Sequence, residues 1–488
     1  MNTLAQTSRR AARGLLAAAA VGALALPAAR AQTPEEFRQL KTLVESLKKT
    51  VEAQDARIKE LEGAKESPPA PAAIATSPSQ KTIDAVAAGQ TVGTPSPVVF
   101  RGALNDQQEA ASRPLDFTLD PKYQGFIPVP NTPALIKLNA KPHLDIITDN
   151  KAPGSRHRFV PALFPLEGSE GYDEGQYSTV SANATQIRVD VRAPDLGGNF
   201  RFYYQNDFFG DDAKDMRYRL QHLYGQFHGF KAGFTYGIWE DPDSWPDTVD
   251  YEGPNAVIFS RRPVAQYTQS WNKNWHTTYG IEKPDVYVDL DSGPNAGVAQ
   301  ITRVPDIGLN TRYEQEGFGH LQFSATLRDI GARDWLGNED FVTGWGFNAS
   351  AGLDVGDGDS VQALLVYGEG VGGMGNDTSF LNSDAAYNAQ GELEALPYWS
   401  AHIGFTHHWS EVARSTFTYG YVNLDNSDGQ APTFYHTSTY ASANLVWQIR
   451  RRLSLGIEGL YGIQEAQNGV DSGDHLRFQV GMVYSLFD

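Results

Sequence analysis

The densest set of residues able to act on a solute lies at positions 237–255. Asp241, Asp243, Asp247, Asp250 and Glu252 stand there with Trp239, Trp245 and Tyr251, and Pro242, Pro246 and Pro254 stiffen the backbone between them. Arg261 and Arg262 follow closely. Carboxylates held against guanidinium groups across a narrow aqueous gap create a transverse field that orients a charged or zwitterionic solute, and rings of arginine favour anions. The plainer reading is a solvated surface loop with turns at DPDSWPD. Enzyme chemistry finds no comparable set: the chain has no HExxH, no GxSxG and no GxxxxGKS phosphate loop. His407 and His408 are adjacent, so a strand turns them to opposite faces and they do not share a metal ion. The acidic run DVGDGDS (354–360) falls where a tight turn belongs and lacks a calcium-ligand framework. No catalytic residue, metal site or cofactor is expected.

The elements that must position these residues are strands. In QIRVDVR, Ile187, Val189 and Val191 alternate with Gln186, Arg188, Asp190 and Arg192. NFRFYYQND sets Phe200, Phe202 and Tyr204 against Arg201, Tyr203 and Gln205, and GLNTRY, HLQFSATLR, GWGFNASAGL, NLVWQIR and LRFQVGMVYSL repeat the period of two. A soluble sandwich alternates in the same way, so the spacing of the strands has to decide. Long connections near 150–184, 207–216, 237–255, 289–304, 330–341, 369–396, 424–434 and 464–474 alternate with short ones such as APDLGG, HGF, EQEGFG, VGDGDS and IRRR. Eight long and seven short connections predict a 16-stranded antiparallel up-and-down transmembrane β-barrel over 135–488, with tight turns in the periplasm. Phe200, Phe202, Tyr204, Trp345, Phe347, Trp399, Phe405, Trp447, Tyr461 and Tyr484 then face lipid, while Arg188, Arg201, Arg219, Arg312, Arg328, Gln322, Asn348 and Glu458 line a wet lumen. Positions 237–255 become the third long loop, the one that folds inward in general porins. Arg262 shares the inward parity only if Val257 and Phe259 face lipid. The expected pore-lining set is therefore Arg188, Arg201, Arg219, Arg261, Arg262 and Arg312, with the five loop carboxylates as the constriction. The alternative is that these arginines pair with lumenal acids and hold the wall.

Upstream of the strands the chain changes character. Residues 1–31 run from Arg9, Arg10 and Arg13 through an apolar stretch to Ala29-Arg30-Ala31, the order of a signal peptide, with an N-terminal membrane anchor as the competing reading. Removing it takes four arginines and no acids, so the net charge of −18 becomes about −22, which disfavours nucleic acid as a partner. The absence of cysteine suits an oxidising periplasm. Within 32–63 the heptad positions hold Phe37, Leu40, Val44, Leu47, Val51, Ile58 and Leu61, a short α-helical coiled coil that brings copies of the chain together, or a lone amphipathic helix packed on its own chain. Residues 64–98, rich in Pro, Ala, Ser and Thr, read as linker and 99–133 as a short plug-like or loosely packed stretch, together a linker and periplasmic lead-in over 64–134.

GNFRFYYQNDFFG (198–210), MRYRLQHLYGQF followed by GFKAGFTYGIWEDPDSWPDTVDYEGPNAVIFSRRP (216–263), and YGIEKPD (279–285) carry a resemblance to the DcaP-like outer-membrane porins. The resemblance covers nearly the whole mature chain. It implies a homotrimer of sixteen-stranded barrels in the outer membrane of a Gram-negative bacterium, with an N-terminal coiled coil in the periplasm. It also implies a basic pore wall at Arg188, Arg201, Arg219 and Arg262, and uptake of small organic anions such as dicarboxylates. Partners would be outer-membrane lipid and lipopolysaccharide, the barrel-assembly machinery and peptidoglycan. Two departures stand out: the final residues are Leu486, Phe487 and Asp488 rather than a terminal aromatic, and Pro142 removes a ladder donor from the first strand. The second function considered is a peptidoglycan-tethering or adhesion barrel whose lumen is secondary.

Overall fold

The computed structural model describes residues 126–486, apart from 170, 194–199, 212–215, 295–296, 357 and 380. The expected signal peptide and coiled coil, and most of the linker, lie outside the described residues. The strands are β1 (Ile127–Pro128), β2 (Leu135–Lys141), β3 (His143–Asp149), β4 (Tyr177–Ser181), β5 (Gln186–Ala193), β6 (Phe200–Asp207), β7 (Arg219–Phe227), β8 (Phe230–Tyr236), β9 (Arg261–Ser270) and β10 (Trp275–Glu282). They continue as β11 (Val288–Asp289), β12 (Gly297–Ile301), β13 (Asp306–Gln315), β14 (Gly319–Asp334), β15 (Glu339–Val355), β16 (Asp359–Glu369), β17 (Ala385–Tyr387) and β18 (Leu393–Ala395). The last five are β19 (Pro397–Ser410), β20 (Ala413–Leu424), β21 (Tyr435–Arg450), β22 (Leu453–Ala466) and β23 (Ser472–Tyr484). Twenty of them form one antiparallel sheet. Successive neighbours pair from β5 round to β23, β23 pairs with β3, and β2 pairs with β5, so the ladder returns to its start. Closure into a barrel leaves no unpaired edge for lipid to meet.

Pro142 falls between β2 and β3, where its carbonyl accepts from Tyr484 N at 3.1 Å, so the missing donor costs the ladder only a break. The exchange of long and tight connections is present among the described residues. At the β7–β8 hairpin His228 and Gly229 both have positive φ, 47° and 85°, as a two-residue turn matched to strand twist demands. Two expectations change. The connection near 330–341 is not a long loop: β14 and β15 continue to Asp334 and Glu339, and the Asp334 carboxylate closes the turn by accepting from Leu336 N and Asn338 N, each at 2.8 Å. The lead-in is not wholly linker either, since β1 pairs with Leu135 and Ile136.

The two faces of the sheet are inverted relative to a soluble protein. Phe347 is 60% exposed while its neighbour Asn348 is 2% exposed, and the same contrast separates Phe323 from Gln322 and Phe478 from Arg477 and Gln479. Such a surface is stable only against hydrocarbon, with the polar groups turned to the lumen. Trp399, Phe405, Trp447, Tyr461 and Tyr484 all lie on the outer face as expected. Inside, loops 150–176, 237–260 and 371–396 pack together, and β11, β17 and β18 form a small separate sheet above the wall. Arg328 ties this inner layer to the barrel, with Nε 3.1 Å from Asp306, Nη1 2.9 Å from Asp384 and 2.7 Å from the Gly370 carbonyl, all three charged groups fully buried. Replacing Arg328 by Met strips Asp384 of its cation. The expected loss is about 3–5 kcal/mol of unfolding free energy, to be read from urea titration of the detergent-folded protein.

Candidate functional site

Residues 237–260 turn into the barrel instead of out to solvent, and nearly all of 238–258 is buried. A chain folded irregularly inside a closed sheet cannot pair its carbonyls with the ladder, so the wall must supply donors. It does so from five strands. Asn310 Nδ2 of β13 donates to Ile238 O at 2.7 Å, Gln322 Nε2 of β14 to Glu240 O at 3.0 Å, and Asn348 Nδ2 of β15 to Trp239 O at 2.9 Å. His402 of β19 lies 3.0 Å from Ser244 O, which as an acceptor makes Nε2 the donor, and Asn444 Nδ2 of β21 donates to Asp247 O at 2.7 Å.

Inward glycines give the loop room. A Cβ added at Gly404 would stand 2.6 Å from the Pro246 ring, and one at Gly346 would stand 2.7 Å from the Trp239 ring. Both positions alternate with inward side chains on β19 and β15, so the absence of a side chain there is what lets the loop lie flat on the wall. On its other side the loop meets 371–396: Phe259 N donates to Met374 O at 3.0 Å and Asn376 N to Val257 O at 2.8 Å. Asp377 then binds loop 150–176 and the wall, accepting from Ala162 N at 3.1 Å and from Tyr435 OH of β21 at 3.2 Å. Burial pushes its carboxyl up to about 7.

The five loop carboxylates are distributed along the wall, each near a cation. Asp241 and Asp243 lie 3.0 and 2.8 Å from Arg312, and Asp241 also receives Ser350 Oγ at 2.7 Å and faces His320 Nε2 at 2.8 Å. Asp247 pairs with Arg414, Asp250 lies 3.6 Å from Arg477, and Glu252 lies 3.4 Å from Arg158. Of the six arginines read from the sequence, only Arg312 meets these acids. Arg262 is buried against Asp306 (3.1 Å) and Glu282 (3.6 Å). Its inward direction does not require Val257 and Phe259 to face lipid: both pack inside with Tyr236 and Trp245, because 253–260 is irregular and carries no parity forward. Arg219 sits 2.6 Å from Asp207, facing inward only because a bulge between Gln205 and Asn206 inserts Gln221. Arg201 is 3.0 Å from Asp190, Arg261 donates to Tyr236 OH at 3.1 Å, and Arg188 donates to Gln186.

One arc of the wall is basic. The inner faces of β2 and β5–β8 carry Lys137, Lys141, Arg188, Arg192, Arg201, Arg219 and Lys231 against Asp190 and Asp207, seven cations to two carboxylates. Lys137, Lys141 and Lys231 were legible as strand-borne cations by parity, as were Arg414 and Arg477. Asp377 had no signal, since nothing local marks a loop residue as the meeting point of two others.

The family model for the DcaP outer membrane protein matches residues 156–480. The chain belongs to the DcaP outer membrane protein family. Its fold superposes on the outer membrane channel DcaP of Acinetobacter baumannii with a TM-score of 0.62 at 18% identity, covering 72% of this chain and 97% of that one. Looser similarity extends to the anion-selective porin from Comamonas acidovorans (TM-score 0.46, 11% identity, 72% and 100% covered) and to OprB of Pseudomonas putida (0.45, 11%, 72% and 94%). No curated protein matches the chain in sequence. As a member of the DcaP family it is an outer-membrane protein of the porin class in a Gram-negative bacterium.

For this DcaP-family barrel the docked loop makes a direct prediction. Gly404→Val drives a side chain into Pro246 and lifts the loop from β19, which should appear as a changed single-channel conductance with added current noise, while heat-modifiable gel mobility stays that of a folded barrel. Arg312→Ala, which uncouples Asp241 and Asp243, should do the same and cost about 3–5 kcal/mol in addition.

Proposed function

We propose that the chain is a homotrimeric porin of sixteen membrane passes through which small hydrophilic solutes diffuse, organic anions such as dicarboxylates ahead of cations. The seven-to-two excess of cations on β2 and β5–β8 carries this reading. The loop's five carboxylates meet cations of β13, β20, β23 and loop 150–176, so its own charges do not offset the cations of β2 and β5–β8. A wall with net positive charge attracts carboxylates, and passage requires that no single site hold them tightly. Loop 237–255 narrows the path. The pass count follows from setting aside the rim strands β1 and β12 and counting β2 with β3, and β4 with β5, as single passes across short breaks, which turns twenty strands into sixteen.

Self-association is supported by the outer surface. Interfacial aromatics ring most of the barrel, but the outward residues of β2–β5 are Ile136, Leu138, Ala140, Leu144, Ile146, Thr148, Ser178, Val180, Ile187, Val189 and Val191, with no aromatic among them. A face that meets protein instead of the headgroup layer has no use for such anchors. The coiled coil at 32–63 would add register in the periplasm, close to peptidoglycan; lipopolysaccharide would contact the outer rim, and the barrel-assembly machinery would insert the chain.

In a planar bilayer under a KCl gradient the reversal potential should report anion preference. Arg201→Ala and Lys231→Ala should each lower the anion-to-cation permeability ratio roughly twofold, the Coulomb energy of one charge at about 10 Å in water. Insertion without conductance would favour the tethering role instead. Deleting 32–63 should weaken but not abolish the trimer on a native gel; an unchanged trimer would assign assembly to the barrel walls alone.

A further inference from the structure

Three inward segments and one strand of the wall meet at a single carboxylate. Asp377, in loop 371–396, accepts from Ala162 N of loop 150–176 at 3.1 Å, and from Tyr435 OH and Ser438 Oγ, both of β21. Its own backbone N donates to Asn255 O of loop 237–260 at 3.3 Å. Ser438 Oγ in turn accepts from Asn255 Nδ2 at 2.8 Å, so one wall residue ties both loops to the same point. Asp377 is only 1% exposed, and among the described residues no arginine, lysine or histidine stands within ion-pair distance of it.

The titratable groups around Asp377 supply no counter-charge either. Loop 237–260 presents Glu252, itself 3.4 Å from Arg158 of loop 150–176, while β19 presents Tyr398 and β21 presents Tyr435. A carboxylate shut away from water without a cation keeps its proton, because the charged form loses its hydration and gains hydrogen bonds alone. Burial is thus the cause of the rise from 3.8 to about 7. We propose that Asp377 is a protonation latch that seats loops 150–176, 237–260 and 371–396 against β21 in acid and lets this inner layer loosen toward neutrality. Proton linkage sets the direction. Below 3.8 the carboxyl is protonated whether the layer is seated or released, and seating carries no penalty. Between 3.8 and about 7 the released group ionises in water while the seated one does not, so each pH unit weakens seating by up to about tenfold. Above about 7 both forms are ionised and the loss levels off. The consequence for flow rests on the reading of 237–255 as the narrow part of a pore: acid surroundings hold the lumen at its narrowest.

Hydrogen–deuterium exchange of the full-chain protein in detergent, with the intrinsic pH dependence divided out, reads the latch at 371–379. Protection there should fall by up to about tenfold per unit through the acid range and be flat above about pH 7. In Asp377→Asn the remaining oxygen still accepts from Ala162 N and no charge can form, so protection should stay high and lose its slope. Ser438→Ala removes a donor that favours the ionised form, so its plateau should begin at a higher pH; this variant reports even if the amide variant fails to fold. A wild-type profile without slope, a slope that survives in Asp377→Asn, or a Ser438→Ala plateau that does not move overturns the latch. Single-channel current is recorded separately over the same pH range. Loops that loosen while the current is unaltered support the latch and count against the constriction.

Discussion

Every peptide group placed where neither bulk water nor the ladder can reach it has to find another partner, and this requirement organises the molecule twice. In the wall it is met by closing the sheet, with β23 returning to β3. In the lumen it is met differently. More than twenty residues of loop lie inside the barrel, and their carbonyls are capped by amides and an imidazole that project from β13, β14, β15, β19 and β21. The same wall gives up side chains at Gly346 and Gly404 so that Trp239 and Pro246 can approach. Wall and loop are therefore one complementary surface, and neither has a reason for its residue pattern without the other.

Electrostatics follows from that docking. Four arginines on the wall and in loop 150–176 neutralise the loop's carboxylates, which removes the transverse field that an acid row opposite an arginine row would create. What survives is an asymmetry around the circumference. The loop also touches β6–β8, where Trp245 packs with Tyr203, Tyr224 and Tyr236 and Tyr251 donates to Asp207, but it brings no carboxylate to that arc, where cations outnumber acids. Pairing does not make the buried arginines idle: each would leave an uncompensated carboxylate if it were lost, which is why they fix the loop's position more than they add stability to an already closed sheet.

The barrel was legible because lipid and water impose a period of two on every strand, and because tight turns and long loops alternate along a meander. Residues 330–341 misled because turn-forming Gly337 and Asn338 look the same in a hairpin tip as in a loop, and only the pairing of β14 with β15 separates the two. Position in the strand count and its row of acids singled out 237–255 as a candidate constriction, but not whether it turns inward. Its partners were not legible either. Parity predicted that Arg312 and Arg328 face inward, but not which carboxylate each meets, since that depends on where an irregular segment lies against a curved wall. Parity also placed Arg219 correctly for a reason it could not contain, the bulge at Gln221.

The central claim is that 237–255 lies against the inner wall in the native membrane. The chain has no cysteine, so a single engineered pair reports without background. Pro254→Cys with Gly420→Cys places the two Cβ atoms 3.5 Å apart, within disulfide range. The account predicts that this pair cross-links under mild oxidation in outer membranes, with a shifted mobility that reductant reverses, while either single variant does not. Absence of the cross-link in a folded, oxidised barrel would show that the loop stands away from β20 and would contradict the account.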